Sequence, residues 1–184
     1  PYAHARIRGI DVSKARELDG VVAVYTYDDI GPVKQRMPLL IPHPALTHPA
    51  TRYALARDEV NHVGECVAMV VATSRYVAED ALELIAVDYE ELPPVVDIEA
   101  AVAPGAPLVH EELGTNVAAH YVGVVGDPER AFREAAHVFR ERLVIERSAG
   151  MPIETRAVLA QWDEFEERLL VWDSTQAPIG IRNA

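Results

Sequence analysis

The sequence predicts an α+β fold, and three observations carry that prediction. Residues 5–26 read strand, helix, strand, and residues 66–90 read strand, helix, strand again. Between them lies a stretch too rich in proline for regular structure. From Asp127 onward the pattern changes to a helix, a strand, a hairpin and the start of another helix.

The elements follow in order. Ala5 and Ile7 alternate with His4, Arg6 and Arg8, the pattern of a short strand with one polar face. Asp11 is expected to cap a helix reaching Leu18, because a carboxylate accepts the free amides of a first turn. Gly20 suits the left-handed stop that follows. Val21 to Thr26 is rich in β-branched residues and apolar on both faces, which predicts a buried strand. From Gly31 to Ala56 five prolines (Pro32, Pro38, Pro42, Pro44 and Pro49) predict a long surface loop. Order returns at Asp58, and Cys66 to Ala72 predicts an apolar strand. Ser74 is positioned to cap a helix to about Leu84 or Ile85, with Val77, Ala78, Ala81, Leu82 and Ile85 at helical spacing. Val87 to Glu90 predicts the next strand, ended by Pro93-Pro94.

Residues 95–124 read as a connector, ordered if Leu108, Leu113 and Val117 pack down. Asp127 followed by Pro128 is a helix start, with the helix expected through Ala136. Val138 to Glu146 predicts a strand. Thr155–Trp162 and Arg168–Asp173 predict a hairpin around the charged turn 163–167, and Gln176 to Ala184 predicts the start of a helix. The chain begins at Pro1 without Met and stops inside that last helix, so both ends are expected to be cuts.

Composition bounds the function. A chain of 184 residues with 49% hydrophobic content needs no disulfide staple. The net charge of −12 argues against phosphate backbones and anionic lipid as partners. No apolar run reaches the roughly 20 residues of a membrane span, and no signal peptide is visible; the single cysteine, Cys66, fits a reducing cytoplasm, which is the expected location.

The side chains that could carry chemistry are few. His43 and His48 sit five apart in the proline-rich loop without a third ligand, and are expected to be surface histidines. His62 and His110 have no evident local partner for acid–base work. Cys66, the one cysteine, reads as a buried inert thiol. The pairs Asp28-Asp29, Glu90-Glu91, Glu111-Glu112 and Glu166-Glu167 are expected to be solvated. Gly123 to Gly126 lacks the spacing of a phosphate loop, and no nucleophile elbow occurs. The residues alone define no self-contained active site.

Six segments together resemble one family. They are Pro1-Tyr2-Ala3-His4-Ala5-Arg6-Ile7, Leu18-Asp19-Gly20-Val21-Val22-Ala23-Val24, Val63-Gly64-Glu65-Cys66-Val67-Ala68, Ala78-Glu79-Asp80-Ala81, Val87-Asp88-Tyr89-Glu90-Glu91-Leu92-Pro93 and Gly105-Ala106-Pro107-Leu108-Val109-His110. In order and spacing they resemble the large subunits of the molybdenum hydroxylases: xanthine dehydrogenase, aldehyde oxidase and aerobic CO dehydrogenase. The family usually has proline where this chain has Cys66. The resemblance implies an a/b hammerhead domain, a mixed sheet with helices, over residues 1–124. It implies the truncated beginning of a molybdopterin-binding domain over residues 125–184.

Two later segments extend the likeness. Gly150-Met151-Pro152-Ile153-Glu154-Thr155-Arg156 resembles the family's Pro-x-Glu-x-Arg segment, and Ser174-Thr175-Gln176-Ala177-Pro178 resembles a cofactor-site segment. The resemblance gives Gln176 the role of hydrogen-bonding an oxo ligand of molybdenum, a task suited to an uncharged amide donor. From the residues alone, Gln176 equally fits a plain helix start. The family's glycine-rich cofactor loop and its general-base glutamate do not occur before Ala184, so no catalytic residue is assigned and the chain alone is expected to be inactive.

The resemblance implies a parent enzyme that hydroxylates an aldehyde, purine or N-heterocycle, or oxidises CO, with water as the oxygen source. Its cofactors would be molybdenum on molybdopterin, in the cytosine dinucleotide form, with FAD and 2Fe-2S clusters on partner subunits or domains. The alternative is a stand-alone hammerhead-type module for assembly or binding, using the 31–56 loop as its contact surface. A small independent hydrolase is a third reading, disfavoured by the missing nucleophile–base motif. Residues from about His137 onward are expected to lack partners and to drive self-association.

Overall fold

A computed structural model describes residues 1–39, 42–145 and 150–183. The chain divides into two compact units, Pro1–Tyr121 and Val122–Ala184.

In the first unit the strands are β1 (Ala5–Asp11), β2 (Val21–Thr26), β3 (Glu59–Val60), β4 (Ala68–Ala72) and β5 (Ala86–Glu91), with helices α1 (Ser13–Glu17) and α2 (Arg75–Glu83). They form two small sheets. One has the order β3-β1-β5 and the other pairs β2 with β4, every pairing being antiparallel. Each strand–helix–strand stretch therefore passes from one sheet to the other: β1-α1-β2 in one direction and β4-α2-β5 in the other.

Both helices pack on the β2-β4 sheet and on each other. Their meeting point is built from small residues: Ala15 of α1 and Ala81 of α2 are fully buried beside Val12 and Val24. Ile10, Leu18, Val70 and Leu84 surround that cluster. A second cluster, Ala5, Ala56 and Val60, lies under the three-stranded sheet with Ile7, Val67 and Tyr89 against it. Burial raises the pKa of the Tyr89 hydroxyl, with a smaller contribution from Tyr2.

The capping predictions hold with one shift. Ser74 Oγ accepts the Val77 amide at 3.3 Å and starts α2. Asp11 is the last residue of β1, and Val12 occupies the cap position of α1. The Asp11 carboxylate still accepts the Ser13 amide at 2.9 Å, and hydrogen bonding from Ser13 holds its pKa below the ordinary carboxylate value. Gly20 has φ +88°, and a Cβ there would meet Thr73 Oγ1 at 2.9 Å. Only glycine makes this turn without strain.

The prediction that β2 is buried on both faces is corrected. Val24 is buried, but Val22 is 68% exposed. The β2-β4 register shifts between Val21 and Ala23, so Val22 is an extra residue with no place in the ladder. The β4 strand starts at Ala68, two residues later than expected, and its Met69 and Val71 face outward. Leu82 of α2 is likewise exposed, leaving Val77, Ala78, Ala81 and Ile85 as the inward stripe.

The 31–56 stretch has no strand among its described residues and begins with a short 3-10 turn over 31–33. Leu40 and Ile41 lie outside the described residues. Aromatic and cationic contacts tie the loop down: the Tyr27 and Tyr53 rings meet edge-on at 5.2 Å, and the guanidinium of Arg36 lies 5.1 Å from the Tyr53 ring centre. In the 95–124 connector Leu108 and Leu113 pack down, but Val117 stays exposed. Asn116 holds much of it. Its amide donates to the Ala101 and Pro107 carbonyls at 2.9 and 2.8 Å, and its oxygen accepts the Val109 amide at 3.0 Å.

The second unit contains α3 (Pro128–Glu134), β6 (Val158–Asp163), β7 (Arg168–Asp173) and α4 (Pro178–Asn183). Asp127 accepts the Arg130 amide at 2.9 Å and Pro128 opens α3, as expected, although the helix ends two residues before Ala136. The hairpin pairs Val158 with Asp173 through to Asp163 with Arg168. The strand expected over 138–146 is corrected: residues 138–145 carry no strand, and Glu146 lies outside the described residues. Phe139, Leu143 and Ile145 are more than 80% exposed there, and β-pattern side chains form a strand only beside a neighbour that supplies hydrogen bonds. The helix expected over 176–184 begins at Pro178, and Ala184 is outside the described residues.

Candidate functional site

The site residue singled out by sequence, Gln176, lies between β7 and α4. Main-chain and hydroxyl bonds shape its loop. Ser174 N donates to the Ala157 carbonyl at 3.1 Å, and Ala157 N donates to Ser174 Oγ at 3.1 Å. Ser174 Oγ in turn donates to the Thr155 carbonyl at 3.4 Å. Thr175 Oγ1 accepts the Ala177 amide at 3.0 Å. The Ala177 carbonyl then accepts the Ile181 amide at 3.0 Å as α4 begins.

These bonds bring together two stretches that are separate in sequence: the end of the Pro152–Arg156 segment and the Ser174–Pro178 segment. Gln176 stands exposed at the bend, with an uncharged side chain that can donate two N–H bonds. That donor fits a group bearing acceptor oxygens, and no carboxylate within the Ser174–Pro178 segment would repel one. Among the described residues, no three His, Cys, Asp or Glu side chains converge as metal ligands.

A cleft of 710 Å³ lies elsewhere, in the first unit. Arg36, Arg52, Tyr53, Arg57, Asn61 and Glu65 are among its walls. Its charges are largely answered internally. Arg36 donates to Glu112 at 2.7 Å, Arg57 pairs with Asp58, and the guanidiniums of Arg36 and Arg57 both approach the Tyr53 ring. The hydrogen bond from Arg57 to Asp58 raises the pKa of that guanidinium. The Glu65 side chain is only 5% exposed and accepts the Asn61 amide at 2.7 Å.

Two histidine expectations change here. His62 and His110 do have local partners: His62 Nδ1 lies 3.5 Å from Glu65 Oε2, and His110 Nδ1 lies 4.0 Å from Glu112 Oε1. The connection was hidden because each carboxylate sits two or three residues on, across a turn rather than along a helix face. His43 and His48 are exposed loop residues, as expected.

The buried-thiol reading of Cys66 is corrected. Cys66 is exposed, because it precedes β4 in the turn after Gly64 instead of entering the sheet. Its carbonyl, rather than its thiol, is used, accepting the Ala56 amide at 2.7 Å. Several acidic pairs do more than face water. Glu90 pairs with Arg6 and Arg8, and Asp29 accepts the Thr26 amide at 2.8 Å beside Arg16 at 3.2 Å. The Thr26 bonds hold the Asp29 pKa below the ordinary carboxylate value.

His4 was read only as one residue of a polar strand face, yet it is 7% exposed. Its Nδ1 lies 3.0 Å from the Pro93 carbonyl, and its Nε2 lies 3.9 Å from Glu59. Its place immediately before β1, against the Pro93 carbonyl, buries it. No local sequence pattern signals a contact across 89 residues.

Comparison with known proteins places this architecture. Residues 1–93 match the family described as aldehyde oxidase and xanthine dehydrogenase, a/b hammerhead domain, and residues 109–184 match the molybdopterin cofactor-binding domain. The chain belongs to the aldehyde oxidase and xanthine dehydrogenase family. It is 39% identical over 181 residues to the nicotine 6-hydroxylase large subunit of Paenarthrobacter nicotinovorans, covering 97% of this chain and 22% of that protein. It is 36% identical over 195 residues to the carbon monoxide dehydrogenase large chain of Afipia carboxidovorans, covering 98% of this chain and 23% of that one.

Solved structures agree. Quinoline 2-oxidoreductase from Pseudomonas putida 86 superposes with a TM-score of 0.85 at 35% identity, over 100% of this chain and 23% of that chain. The Cu,Mo-CO dehydrogenase in its carbon monoxide reduced state superposes with a TM-score of 0.82 at 36% identity, over 99% and 24%. The chain thus spans less than a quarter of the length of these relatives. Its hammerhead part is followed by the start of a molybdopterin-binding domain. Among the described residues no helix is long and apolar enough to cross a membrane.

Proposed function

We propose that this chain works as part of the molybdenum-cofactor subunit of an oxidoreductase that hydroxylates a carbon centre (aldehyde, purine or N-heterocycle) or oxidises CO, with water as the oxygen source. The observation that carries the reading is the pair of family matches in series, hammerhead over 1–93 and molybdopterin-binding over 109–184. The relatives' printed names support it, since they are large subunits of a nicotine hydroxylase and a CO dehydrogenase.

In this reading Gln176 directs its amide N–H toward acceptor oxygens of a molybdopterin cofactor, in the cytosine dinucleotide form. An amide donor stabilises such oxygens without introducing a charge. The bound cofactor would supply the redox chemistry; the chain's part is to present that donor. Thr155 of the 152–156 segment and the adjoining Ala157 brace the Gln176 loop through their bonds to Ser174 Oγ. We place the division between the hammerhead and cofactor-binding parts at 124/125, a reading supported by the compact unit that ends at Tyr121.

The remaining elements of the proposal are an FAD subunit or domain, 2Fe-2S clusters to take electrons away, the rest of the large subunit, and a cytoplasmic location. The chain by itself turns nothing over. It self-associates in solution, a reading supported by apolar side chains such as Phe139, Leu143, Ile153 and Phe165, each at least 83% exposed.

The test is to express the complete large-subunit reading frame with its partner subunits and assay a panel of N-heterocycles, purines, aldehydes and CO. Substrate-dependent reduction of an electron acceptor, lost with Gln176→Ala, is the expected result. A loaded enzyme indifferent to Gln176→Ala would remove that residue from the site.

A further inference from the structure

We propose that Ser174 and Thr175 are positioning residues for the Gln176 amide, ending the β6-β7 ladder and closing the turn that presents it. The proposal rests on the assignment of Gln176 to the cofactor given above. The hairpin register places Val158 opposite Asp173, so the next rung places Ala157 opposite Ser174. At that rung Ser174 N donates to the Ala157 carbonyl at 3.1 Å. A regular antiparallel rung would return a second bond from Ala157 N to the Ser174 carbonyl. Here Ala157 N donates to Ser174 Oγ instead, at 3.1 Å.

The hydroxyl thus stands in for a main-chain carbonyl. The chain turns away from the sheet at Ser174 without leaving the Ala157 amide unpaired. The same oxygen also donates to the Thr155 carbonyl, so one side chain uses both its donor and its acceptor to hold the strand end. One residue later, Thr175 Oγ1 accepts the Ala177 amide at 3.0 Å. That bond closes a hydroxyl turn whose central residue is Gln176. Pro178 then opens α4 with no amide that needs a partner.

Gln176 therefore sits between two hydroxyl braces, one facing back to residues 155–157 and one facing forward to Ala177. Ser174 and Thr175 act through Gln176: they fix the backbone from which it reaches. Displacing a positioned group by about 1 Å costs on the order of 100-fold in rate, so such braces are visible in turnover.

The test uses the complete, cofactor-loaded subunit with Gln176→Ala, Ser174→Ala and Thr175→Val. The conservative Ser174→Thr and Thr175→Ser serve as rescues. The readouts are molybdenum content, the electron paramagnetic resonance spectrum of the reduced metal centre, and kcat with KM. Gln176→Ala should shift the spectrum. Ser174→Ala and Thr175→Val should shift it the same way with molybdenum retained, lowering kcat roughly 10- to 100-fold with KM little changed. The conservative variants should restore both readouts, and Ser174→Ala added to Gln176→Ala should change nothing further.

Native spectra for Ser174→Ala and Thr175→Val, with Gln176→Ala shifted, would overturn the positioning role and leave the assignment of Gln176 standing. A native spectrum for Gln176→Ala would overturn that assignment and the proposal with it. If Ser174→Ala does not load, Thr175→Val, which keeps side-chain size, decides. Loss of molybdenum from both, with Gln176→Ala loaded, would mark the hydroxyls as purely structural and overturn the proposal.

Discussion

Gly20 shows how much one residue constrains this fold. Its φ of +88° and the 2.9 Å approach to Thr73 Oγ1 leave no room for a side chain. Gly20→Ala should destabilise the chain by about 1–3 kcal/mol, seen as a lowered midpoint in urea. The carboxylates of Asp11 and Asp29 make a pH prediction. Hydrogen bonds from Ser13 and Thr26 lower their folded pKa values below 3.8. Their stabilisation is therefore full above the ordinary carboxylate range and is lost as pH falls from 3.8 through the lowered folded values. Thermal melts from neutral pH into that acid range should show a smaller drop for Asp29→Asn than for the native chain. At this scale the left-handed backbone of Gly20 was readable because it has a residue signature, although Gly20 lies in a turn closed by the Val21 amide on the Leu18 carbonyl and not at the helix end. His4 was not, because its burial depends on Pro93, 89 residues away.

At the scale of elements, α2 owes its start to Ser74 and its position to Ala81. Ser74→Ala should cost about 1 kcal/mol through the lost Val77 bond, and Ser74→Asp should keep most of it, as read by chemical denaturation. The two helices meet over Ala15 and Ala81, both fully buried. Ala15→Leu should overpack that contact by about 1–3 kcal/mol and lower the melting temperature, whereas Lys14→Leu on the exposed side should not. Caps and helical spacing made α2, α3 and the hairpin visible in sequence, since those signals are local. Pairing was not visible. The bulge at Val22, the late start of β4 and the missing strand at 138–145 all depend on which neighbour supplies hydrogen bonds. The Gln176 loop divides the same way: the motif marked the residue, while the Ser174 rung that shapes it appears only when the two strands are paired.

For the whole molecule, the two units differ in how well they close. The first has two cores, around Ala15 and around Ala5; the second has no fully buried side chain among its described residues. Light scattering should accordingly find dimers or larger species of the chain, and a clean monomer at high concentration would contradict the self-association reading. The larger claim is that the chain serves a molybdenum-cofactor subunit. The most direct measurement is metal and pterin analysis of the complete subunit purified with its partners. Molybdenum and a pterin dinucleotide should be present in matching, near-stoichiometric amounts, together with flavin and iron from the partners. A folded, intact subunit from a cofactor-producing host that holds neither molybdenum nor pterin would contradict that claim.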